Sequence, residues 1–485
     1  MNRFLSLIRI FGLMLAVFSV TYSIPIAAAL IYQDGTLNLF LRDMCLTLGA
    51  GAFLWLLTRH HEADLRARDG FILVVITWVG LAAVATFPLL SHIDGLSFTD
   101  AYFETMSGLS TTGSTVLSQI DYLPPALNLW RHELNWIGGM GIIVLAVAIL
   151  PILGVGGRQL YVAETPGPIK DSKLTPRITE TAKNLWLTYA IITLMCILAL
   201  KWAGMDWLDA VCHAFATMGL GGFSTHDASI GYFNSPEIEM VLVLFMLLAG
   251  MNFATHFLAF REKSLAPYRS DLEALPYLIL MLGSIGGIGA YLYWTGTYPE
   301  ALTALRHAAF NVVSIGTDCG FASQDFNEWP LFAPLWMLFL SCIAASTGST
   351  GGGIKMMRTL ILIKQSQLQM LLLRHPAAVI PLKLGGQVIS SRIILSVLGF
   401  IFAYFMTVVS LTLVLVITGL DLVSAFSAVV ASINNAGPGL GVVGPSTNYS
   451  GLSDVQTWTC TLAMFLGRIE IFTALILFTP AFWRR

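Results

Sequence analysis

Four short segments of this chain end in a glycine that follows a polar turn, a pattern that could bind a cation through backbone oxygens. Glycine tolerates positive φ, so the carbonyl beside it can turn towards a shared centre. Rings of such carbonyls replace the hydration shell of a dehydrated ion in ion-selective pores. Four copies in one chain could therefore assemble a four-fold ion filter. The copies are residues 100–114, 209–223, 307–321 and 424–438, with Gly113, Gly222, Gly320 and Gly437 at one register position.

Each segment begins with an apolar run that is predicted to form a half-helix. Residues 99–110, for example, are too few to cross a bilayer core, which needs about 20 apolar residues. Backbone that leaves a helix at membrane depth is tolerated only where it lines a watery cavity or is buried in protein. The C-terminal end of each half-helix carries the negative end of its dipole, which favours a cation. The second loop contains Gly219, Gly221 and Gly222, and the sequence does not decide which of them belongs to the site.

The composition places the chain in a membrane. Of its 485 residues, 56% are hydrophobic and 11% are charged, and the mean hydropathy is +0.75. Soluble domains carry about 25% charged residues. The six cysteines lie far apart without a CxxC pair, so neither a disulfide framework nor a metal site is indicated. Apolar runs long enough to span occur near residues 5–32, 37–58, 70–91, 127–153, 184–204, 236–260, 274–296, 330–362, 390–418 and 455–483.

These ten spans and the four half-helices predict an all-α integral membrane protein with a repeated architecture. Each half-helix falls between two spans, so the body reads span–pore helix–span four times around a central pore, and one two-helix hairpin precedes it. Segment 4–32 could also serve as a signal peptide, but its length favours an uncleaved span. The predicted units are the N-terminal hairpin 1–60 and the pore repeats 61–157, 158–262, 263–375 and 376–485.

The basic residues indicate how this architecture is oriented. Segments on one side of the ten-span arrangement hold 21 of the 26 lysines and arginines. Because positive residues favour the cytoplasmic side, both termini are predicted to be cytoplasmic and the four glycine loops to face outward. The segments are 1–9, 58–69, 158–183, 261–269, 355–392 and 484–485, and the exceptions are Arg42, Arg131, Lys201, Arg306 and Arg468.

Three further glycine-containing motifs lie in second spans of the repeats: WIGGMG at 136–141, STGSTGGGIK at 346–355 and FLGRIE at 465–470. With the four glycine loops, they make the chain resemble the TrkH/KtrB/HKT superfamily of potassium transporters, and its bacterial TrkH members most. The resemblance covers nearly the whole chain, including the N-terminal hairpin. Close helix packing explains a single glycine equally well, but it does not explain four in register. None of the loops carries the TVGYG sequence of tetrameric potassium channels.

The resemblance implies that the four loops form a selectivity filter, with K⁺ as the transported ion and no organic cofactor. Glycine in all four loops resembles the K⁺-preferring members of the superfamily rather than the Na⁺-preferring ones. The implied filter residues are Thr111, Thr112, Gly113, Leu220, Gly221, Gly222, Asp318, Cys319, Gly320, Asn435, Ala436 and Gly437.

The eighth span contains a Gly-rich break, which the resemblance identifies as a gate below the filter. Glycine costs about 1 kcal/mol in a helix interior, so four glycines predict a loop at membrane depth. A flexible turn beside the membrane surface is the alternative. Arg468, in the middle of the last span, is expected in the pore, where its charge would repel K⁺, and a structural salt bridge is the alternative. The gate residues are Gly348, Gly351, Gly352, Gly353 and Arg468.

These features predict potassium uptake through a gated, channel-like pore in the bacterial inner membrane, and no enzyme chemistry. A proton- or sodium-coupled cation symporter is the alternative, although carboxylates within spans are nearly absent apart from Glu470. Glu104 could hold charge behind the filter. Either Glu104 or Asp318 could instead be an exposed vestibule charge that concentrates cations.

The inner face has basic loops at 154–183, 261–273 and 364–392, and no nucleotide-binding motif occurs in the chain. By resemblance, a separate cytosolic TrkA-like ring that binds nucleotide docks on this face, and the protein is a homodimer. The alternative for the basic face is contact with anionic lipid alone. The expected partners are thus K⁺, the lipid bilayer, a second copy and the ring, and no nucleic acid.

Overall fold

The computed structural model describes residues 2–61, 67–141 and 178–484, and it is almost entirely helical. The strands in these ranges form one small antiparallel hairpin, β1 (Lys383–Leu384) paired with β2 (Gln387–Val388), in a loop where no strand was expected. The all-α prediction is otherwise confirmed. Residues 142–153 of the predicted fourth span and most of the basic loop at 154–183 lie outside the described residues.

The predicted N-terminal hairpin is present and packs on the first repeat. Its helices are α1 (Asn2–Phe18), α2 (Ser23–Tyr32) and α3 (Leu37–Thr58), with a 3₁₀ turn between α1 and α2. A Cβ at Gly51 would lie 2.7 Å from the backbone nitrogen of Ala16, so small residues let the two arms approach closely. The ring of Tyr22 stacks on that of Trp130 with centroids 4.5 Å apart, which joins the hairpin to the body.

The rest of the chain repeats one arrangement, in which a long helix is followed by a short buried half-helix and then a second helix. The four half-helices are α6 (Phe98–Leu109), α9 (Trp207–Gly219), α14 (Ala301–Gly316) and α18 (Leu422–Asn434). The long first helices are α4 (Ala67–Ala85), α8 (Ile178–Trp202), α13 (Ala274–Trp294) and α17 (Ser391–Ile417). The exact repeat boundaries stay predictions.

Within the described ranges, the second helix of each repeat ends or bends before it is long enough for a full crossing. These helices are α7 (Pro125–Gly139), α10 (Pro236–Ala249) with α11 (Phe253–Glu262), α15 (Phe332–Ile343) with α16 (Met356–Arg374), and α19 (Asp454–Arg468) with α20 (Ile471–Leu475). The short helices α5 (Phe87–His92), α12 (Ala266–Ser270) and α21 (Pro480–Trp483) complete the described elements.

Within the described ranges, six helices are long and apolar enough to span a membrane, or eight if each of two bent pairs counts as one span. The predicted spans 236–260 and 455–483 are not single straight helices, because these two helix pairs bend by 96° and 110°. Gly250 to Asn252 and Ile469 to Glu470 break the helices at these points. The predicted break in span 330–362 is confirmed, since α15 ends at Ile343 and α16 begins at Met356.

Three of the half-helices begin with a side-chain cap. The cap residues adopt extended backbone, and the side-chain oxygen of each accepts a hydrogen bond from the backbone amide three residues later. The caps are Ser97, Asp206 and Asp421, with distances of 3.1, 2.7 and 3.0 Å. Such caps satisfy amides that a helix N-terminus leaves without partners. The caps fix where these three half-helices start, and thereby where their C-terminal ends place the glycine loops.

The five basic residues outside the predicted inner segments all have polar partners. Arg42 pairs with Asp43, Arg131 with Glu104 and Arg306 with Glu239, each with N–O distances of 2.7 Å. Lys201 donates to the carbonyl of Met205, and Arg468 donates to backbone carbonyls described below. Local partners therefore account for these exceptions, and they do not weigh against the predicted orientation.

Candidate ion site

All four half-helices end in the same hydrogen-bonded turn. In each, the residue before the glycine donates its amide to a carbonyl five residues earlier at 2.8 Å. The residue before that adopts left-handed backbone, which makes a Schellman-type end. The left-handed residues are Thr111, Leu220, Asp318 and Asn435, with φ of 58°, 54°, 70° and 59°.

Among non-glycine residues, asparagine and aspartate tolerate left-handed backbone best, whereas for β-branched Thr111 it is a true outlier. Such strain persists only where the surroundings hold it, and it concentrates at functional sites. Its four-fold repetition indicates that the turn geometry is required at each position. Neither composition nor spacing predicted this feature, because each strained residue is of an ordinary type.

The four glycines that follow these turns lie together in a closed ring. Their φ values are 79°, 64°, 90° and 87° for Gly113, Gly222, Gly320 and Gly437, so each needs glycine's freedom. In every case an added Cβ would come within 2.8 Å of a carbonyl oxygen of the neighbouring repeat. The contacts run from Gly113 to Gly221, Gly222 to Cys319, Gly320 to Ala436, and Gly437 back to Thr112.

Backbone geometry distinguishes the glycines of the second loop. Gly222 has the positive φ and faces Cys319 of the third repeat, as its counterparts face their neighbours. Gly219 and Gly221 instead lie against the backbone and side chain of Asn135. All twelve predicted filter residues therefore fall within the four turns that form the ring.

A cavity opens on one side of the ring. Its lining includes all four ring glycines, together with residues that follow them, such as Ser114, Ser224, Ala322 and Pro438. A ligand in this cavity would meet backbone groups of four repeats at once. The cavity therefore fits a vestibule that leads to the ring.

Hydrogen bonds around this vestibule join each repeat to the next. The donor and acceptor residues of these bonds lie in the loops that follow the four glycines. The bonds are Ile120 N–H to Asp227 at 3.1 Å, Gly231 N–H to Ala322 at 3.1 Å, Gly441 N–H to Asn327 at 3.1 Å and Tyr449 N–H to Thr115 at 2.9 Å. The four bonds close a second, outer ring. They hold the glycine loops in register, so the carbonyl ring has little freedom to collapse.

A buried ion pair braces the first two loops from behind. Arg131 donates to Glu104 Oε1 at 2.7 and 2.9 Å, and both side chains are 1% exposed. Glu104 also accepts from the hydroxyl of Thr115 and the amide of Val116. Arg131 reaches the second loop as well, where it lies 4.4 Å from the centre of the Phe223 ring.

The interpretation of Glu104 or Asp318 as an exposed vestibule charge is wrong, because both side chains are buried. The role of Arg131 was missed, although a signal existed. An arginine in a span needs a partner, and Glu104 lies on the half-helix that precedes it. His213 is also a brace, since Nδ1 contacts the Asp209 carbonyl and Nε2 contacts Ser224 Oγ.

An ionisable cluster stands at the rim of the vestibule between repeats one and two. His226 contacts Asp121 at 2.5 Å and Asp209 at 3.3 Å, and its ring stacks on Tyr232. Burial alone would lower the pKa of His226, but the bonds to Asp209 and Asp121 outweigh it and raise that pKa. Burial would raise the pKa of Asp121, whereas bonds from His226 and the Asp227 amide lower it.

The Gly-rich loop, residues 344–355, lies on the other side of the ring. The vestibule touches the glycines and the residues after them, whereas this loop touches residues before them. Thr350 Oγ1 donates to the carbonyl of Met218 at 3.0 Å. A Cβ added at Gly351 would lie 2.8 Å from the carbonyl oxygen of Thr317. A Cβ added at Gly352 would overlap the carbonyl oxygen of Asn434.

The loop is therefore packed without clearance against three half-helix ends. The other two predicted gate glycines are equally confined. A Cβ at Gly348 would lie 2.7 Å from Asn252 Oδ1, and one at Gly353 would lie 2.6 Å from the carbonyl of Ser341. Glu273 accepts the amide of Thr347 at 2.6 Å and holds the start of the loop. This packing does not fit a flexible surface turn.

Arg468 connects this loop to the end of α7. Its guanidinium donates to the carbonyls of Thr350 at 2.9 Å, Gly139 at 2.8 Å and Gly138. Arg468 thus joins the fourth repeat to the third and first. Glu470, the candidate relay carboxylate, pairs instead with Arg358 at 2.7 Å.

Comparisons with known proteins agree with this architecture. The family model for TrkH, described as a cation transport protein, matches residues 37–281 and 296–485. The chain is 46% identical over 480 residues to the Trk system potassium uptake protein TrkH of Halomonas elongata, covering 99% of each chain. It is also 46% identical over 483 residues to the protein of that name in Escherichia coli K12, covering 99% of this chain and all of the relative.

Similarity extends to a solved structure. The crystal structure of the potassium transporter TrkH from Vibrio parahaemolyticus matches with a TM-score of 0.89 at 43% identity, and the match covers 99% of this chain and all of that one. The relatives named here are transporters and not enzymes, as the sequence predicted. The chain therefore belongs to the TrkH family of cation transport proteins.

Proposed function

We propose that this protein takes up K⁺ through a channel-like pore whose selectivity filter is the ring of four glycine loops. One observation carries the proposal: four backbone carbonyls, one per repeat, each lie against the filter glycine of the next repeat. The curated relatives are potassium uptake proteins by name, which agrees with it. The carbonyls belong to Thr112, Gly221, Cys319 and Ala436.

The chemistry of the ring suits a dehydrated monovalent cation. Carbonyl oxygens are neutral ligands that can replace hydration water without binding so tightly that the ion cannot leave. The four half-helices end at the ring, so the negative ends of their dipoles stabilise positive charge there. Rigid bracing by the Arg131–Glu104 pair and the outer hydrogen bonds keeps the spacing that distinguishes one cation from another.

The gate in this proposal is the Gly-rich loop together with Arg468. The loop fills the space beneath the ring, and Gly352 reaches the backbone of Asn434. An arginine charge beside the permeation path raises the barrier for K⁺. Deleting residues 348–353 should raise K⁺ flux and make it less regulated. A flux and regulation equal to those of the intact protein would contradict this assignment.

The setting proposed for this pore is the bacterial inner membrane, with both termini in the cytoplasm and the vestibule outside. The protein is a homodimer in this proposal, and a cytosolic TrkA-like ring that binds nucleotide controls the gate. Exposed Arg261 in the last turn of α11 and exposed Arg374 in the last turn of α16 are basic residues that such a ring or anionic lipid can bind.

The direct test is ion flux in liposomes that contain the purified protein. A K⁺ gradient is imposed without a pH or Na⁺ gradient, and the same measurement with Na⁺ in place of K⁺ is the control. K⁺-selective flux is expected. Flux that requires a second ion gradient would contradict the channel and favour the alternative, a proton- or sodium-coupled symporter.

A further inference from the structure

One peptide group of the Gly-rich loop, the bond between Gly351 and Gly352, is hydrogen-bonded to a charged side chain at each end. The amide of Gly352 donates to Asp318 Oδ2 at 3.0 Å. The carbonyl of Gly351, on the other side of the same peptide bond, accepts from Lys355 Nζ. A peptide dipole is thus aligned between an anion at its N–H and a cation at its C=O, the favourable orientation at both ends.

The two charged residues are held in this place at a conformational cost. Asp318 has φ 70° and Lys355 has φ 77°, values that non-glycine residues rarely adopt. Both side chains are buried, at 0% and 6% exposure. Burying a carboxylate and an ammonium requires that each be compensated by a partner, and the peptide between them supplies part of that compensation.

Asp318 differs from its three counterparts in the ring. The residues at the equivalent left-handed position are Thr111, Leu220 and Asn435, which are neutral. Asp318 is therefore the one acidic residue at this position of the four turns, and it lies two residues before a filter glycine. Its second oxygen, Oδ1, is buried and accepts no hydrogen bond from the residues that the structure describes.

We propose that Asp318 is the latch that holds the gate loop against the filter, and that K⁺ takes the place of the loop on Asp318 when the gate opens. This inference rests on the proposed function. With the loop in place, the Gly352 amide and the nearby Lys355 charge balance the carboxylate. When the loop leaves, the carboxylate faces the permeation path just beneath the filter and attracts the next cation.

The latch makes two variants behave differently, and single-channel recording in liposomes separates them. Asp318→Asn keeps an oxygen for the Gly352 amide but loses the charge, so it weakens the latch and the attraction for K⁺ together. We expect the open probability to rise about fivefold, as for losing the charge on one hydrogen bond. Single-channel conductance should fall at low K⁺ and approach the wild-type value at high salt, where charge is screened.

Lys355→Met removes the opposite partner and leaves the carboxylate intact. It should also raise the open probability, but conductance should be equal to or above that of the wild type. The double variant should open no more often than the more open single variant, because both act on one peptide group. Asp421→Asn is the matched control, since it makes the same substitution at an exposed N-cap that asparagine serves equally well.

Thermal unfolding of each variant in detergent verifies that it is folded. If folded Asp318→Asn opens as rarely as the wild type, or conducts equally at low K⁺, the latch is wrong. If Lys355→Met lowers conductance as Asp318→Asn does, the exchange of loop for K⁺ is wrong. Absence of K⁺ current in the wild-type protein would contradict the proposed function itself.

Discussion

The ring of glycine loops and the loop beneath it use similar residues, yet they are built in different ways. The ring repeats one turn four times, with the same 2.8 Å hydrogen bond and the same pair of positive φ values in every repeat. The loop at 344–355 occurs in the third repeat, and the equivalent breaks in the second and fourth repeats are short bends. Symmetry builds the upper layer, whereas among the described residues the lower layer comes from the loop of the third repeat and Arg468 of the fourth.

The bonding of the two layers differs as well. The ring is braced by a buried ion pair and by hydrogen bonds between all neighbouring repeats, contacts that do not need to change during transport. The loop is held by individual hydrogen bonds to charged side chains, such as that from Arg468 to the carbonyl of Thr350 and that from the amide of Gly352 to Asp318. A filter must keep its dimensions, whereas a gate must be released at a modest cost. The difference in bonding matches the tasks proposed for the two layers.

The largest effect is expected from breaking the brace of the ring. Glu104→Gln leaves the Arg131 charge buried without its carboxylate, which should cost about 3–5 kcal/mol of stability. The unfolding temperature in detergent measures it. Adding Arg131→Met to Glu104→Gln should restore part of the loss, and Glu237→Gln on an exposed carboxylate is the control. A single variant as stable as the wild type would show that the ring does not depend on this pair.

The next effect tests the dimensions of the ring itself. Gly222→Ala places a Cβ against the Cys319 carbonyl and should reduce K⁺ flux at least about 100-fold, equivalent to about 3 kcal/mol. Gly35→Ala is the matched control, because Gly35 has φ 81° but nothing within 4 Å of an added Cβ. Equal losses in both variants would mean that backbone strain, and not the closeness of the ring, explains the result.

A smaller effect is expected from the gate layer. Arg468→Gln removes charge-assisted hydrogen bonds to Thr350 and to the end of α7. A loss of about 2 kcal/mol from the closed state would increase K⁺ flux about 30-fold. Flux in liposomes is normalised to folded protein measured by size-exclusion chromatography. A purely structural arginine predicts the opposite result, which is less folded protein and no gain in flux per molecule.

The smallest effect should come from His226 at the vestibule rim. A raised pKa means that the folded state is stabilised with the proton bound. This contribution is complete below the unfolded pKa of about 6.5 and is lost as pH rises through the higher folded pKa. Between about pH 5.5 and 9, the free energy of unfolding should therefore fall more in the wild type than in His226→Gln. The difference should be under about 1 kcal/mol, because solvent screens the cluster. Unfolding temperatures measured across this pH range would detect it. Equal pH dependence in the wild type and His226→Gln would show that protonation of His226 does not stabilise the fold.

The sequence predicted the repeat and its half-helices because glycine, helix length and hydropathy are local signals. It also predicted that Gly348 to Gly353 interrupt a helix, since glycine is costly there. It did not predict the bends at Gly250 and Glu470, because apolar residues continue on both sides and hydropathy alone reads them as one span. The small β-hairpin at 383–388 was missed because so few residues form it.

The site shows the same limit. The register assigned Gly222 to the second loop, but its positive φ and its distance to Cys319 are what distinguish it from Gly221. Arg131 and Glu104 were visible as charges, yet their pairing depends on how α6 and α7 pack. The hydrogen bond between Asp318 and the amide of Gly352 joins residues that are 34 positions apart in sequence. Such contacts follow from tertiary packing, which residue type and spacing do not encode.

The most direct test of the central claim is the position of a bound ion. Crystals of the protein soaked with Rb⁺ or Tl⁺, which substitute for K⁺ and scatter anomalously, would locate it. We expect an anomalous peak enclosed by the carbonyls of Thr112, Gly221, Cys319 and Ala436. A difference map with no peak within this ring, at ion concentrations that support flux, would contradict the assignment of the ring as the filter.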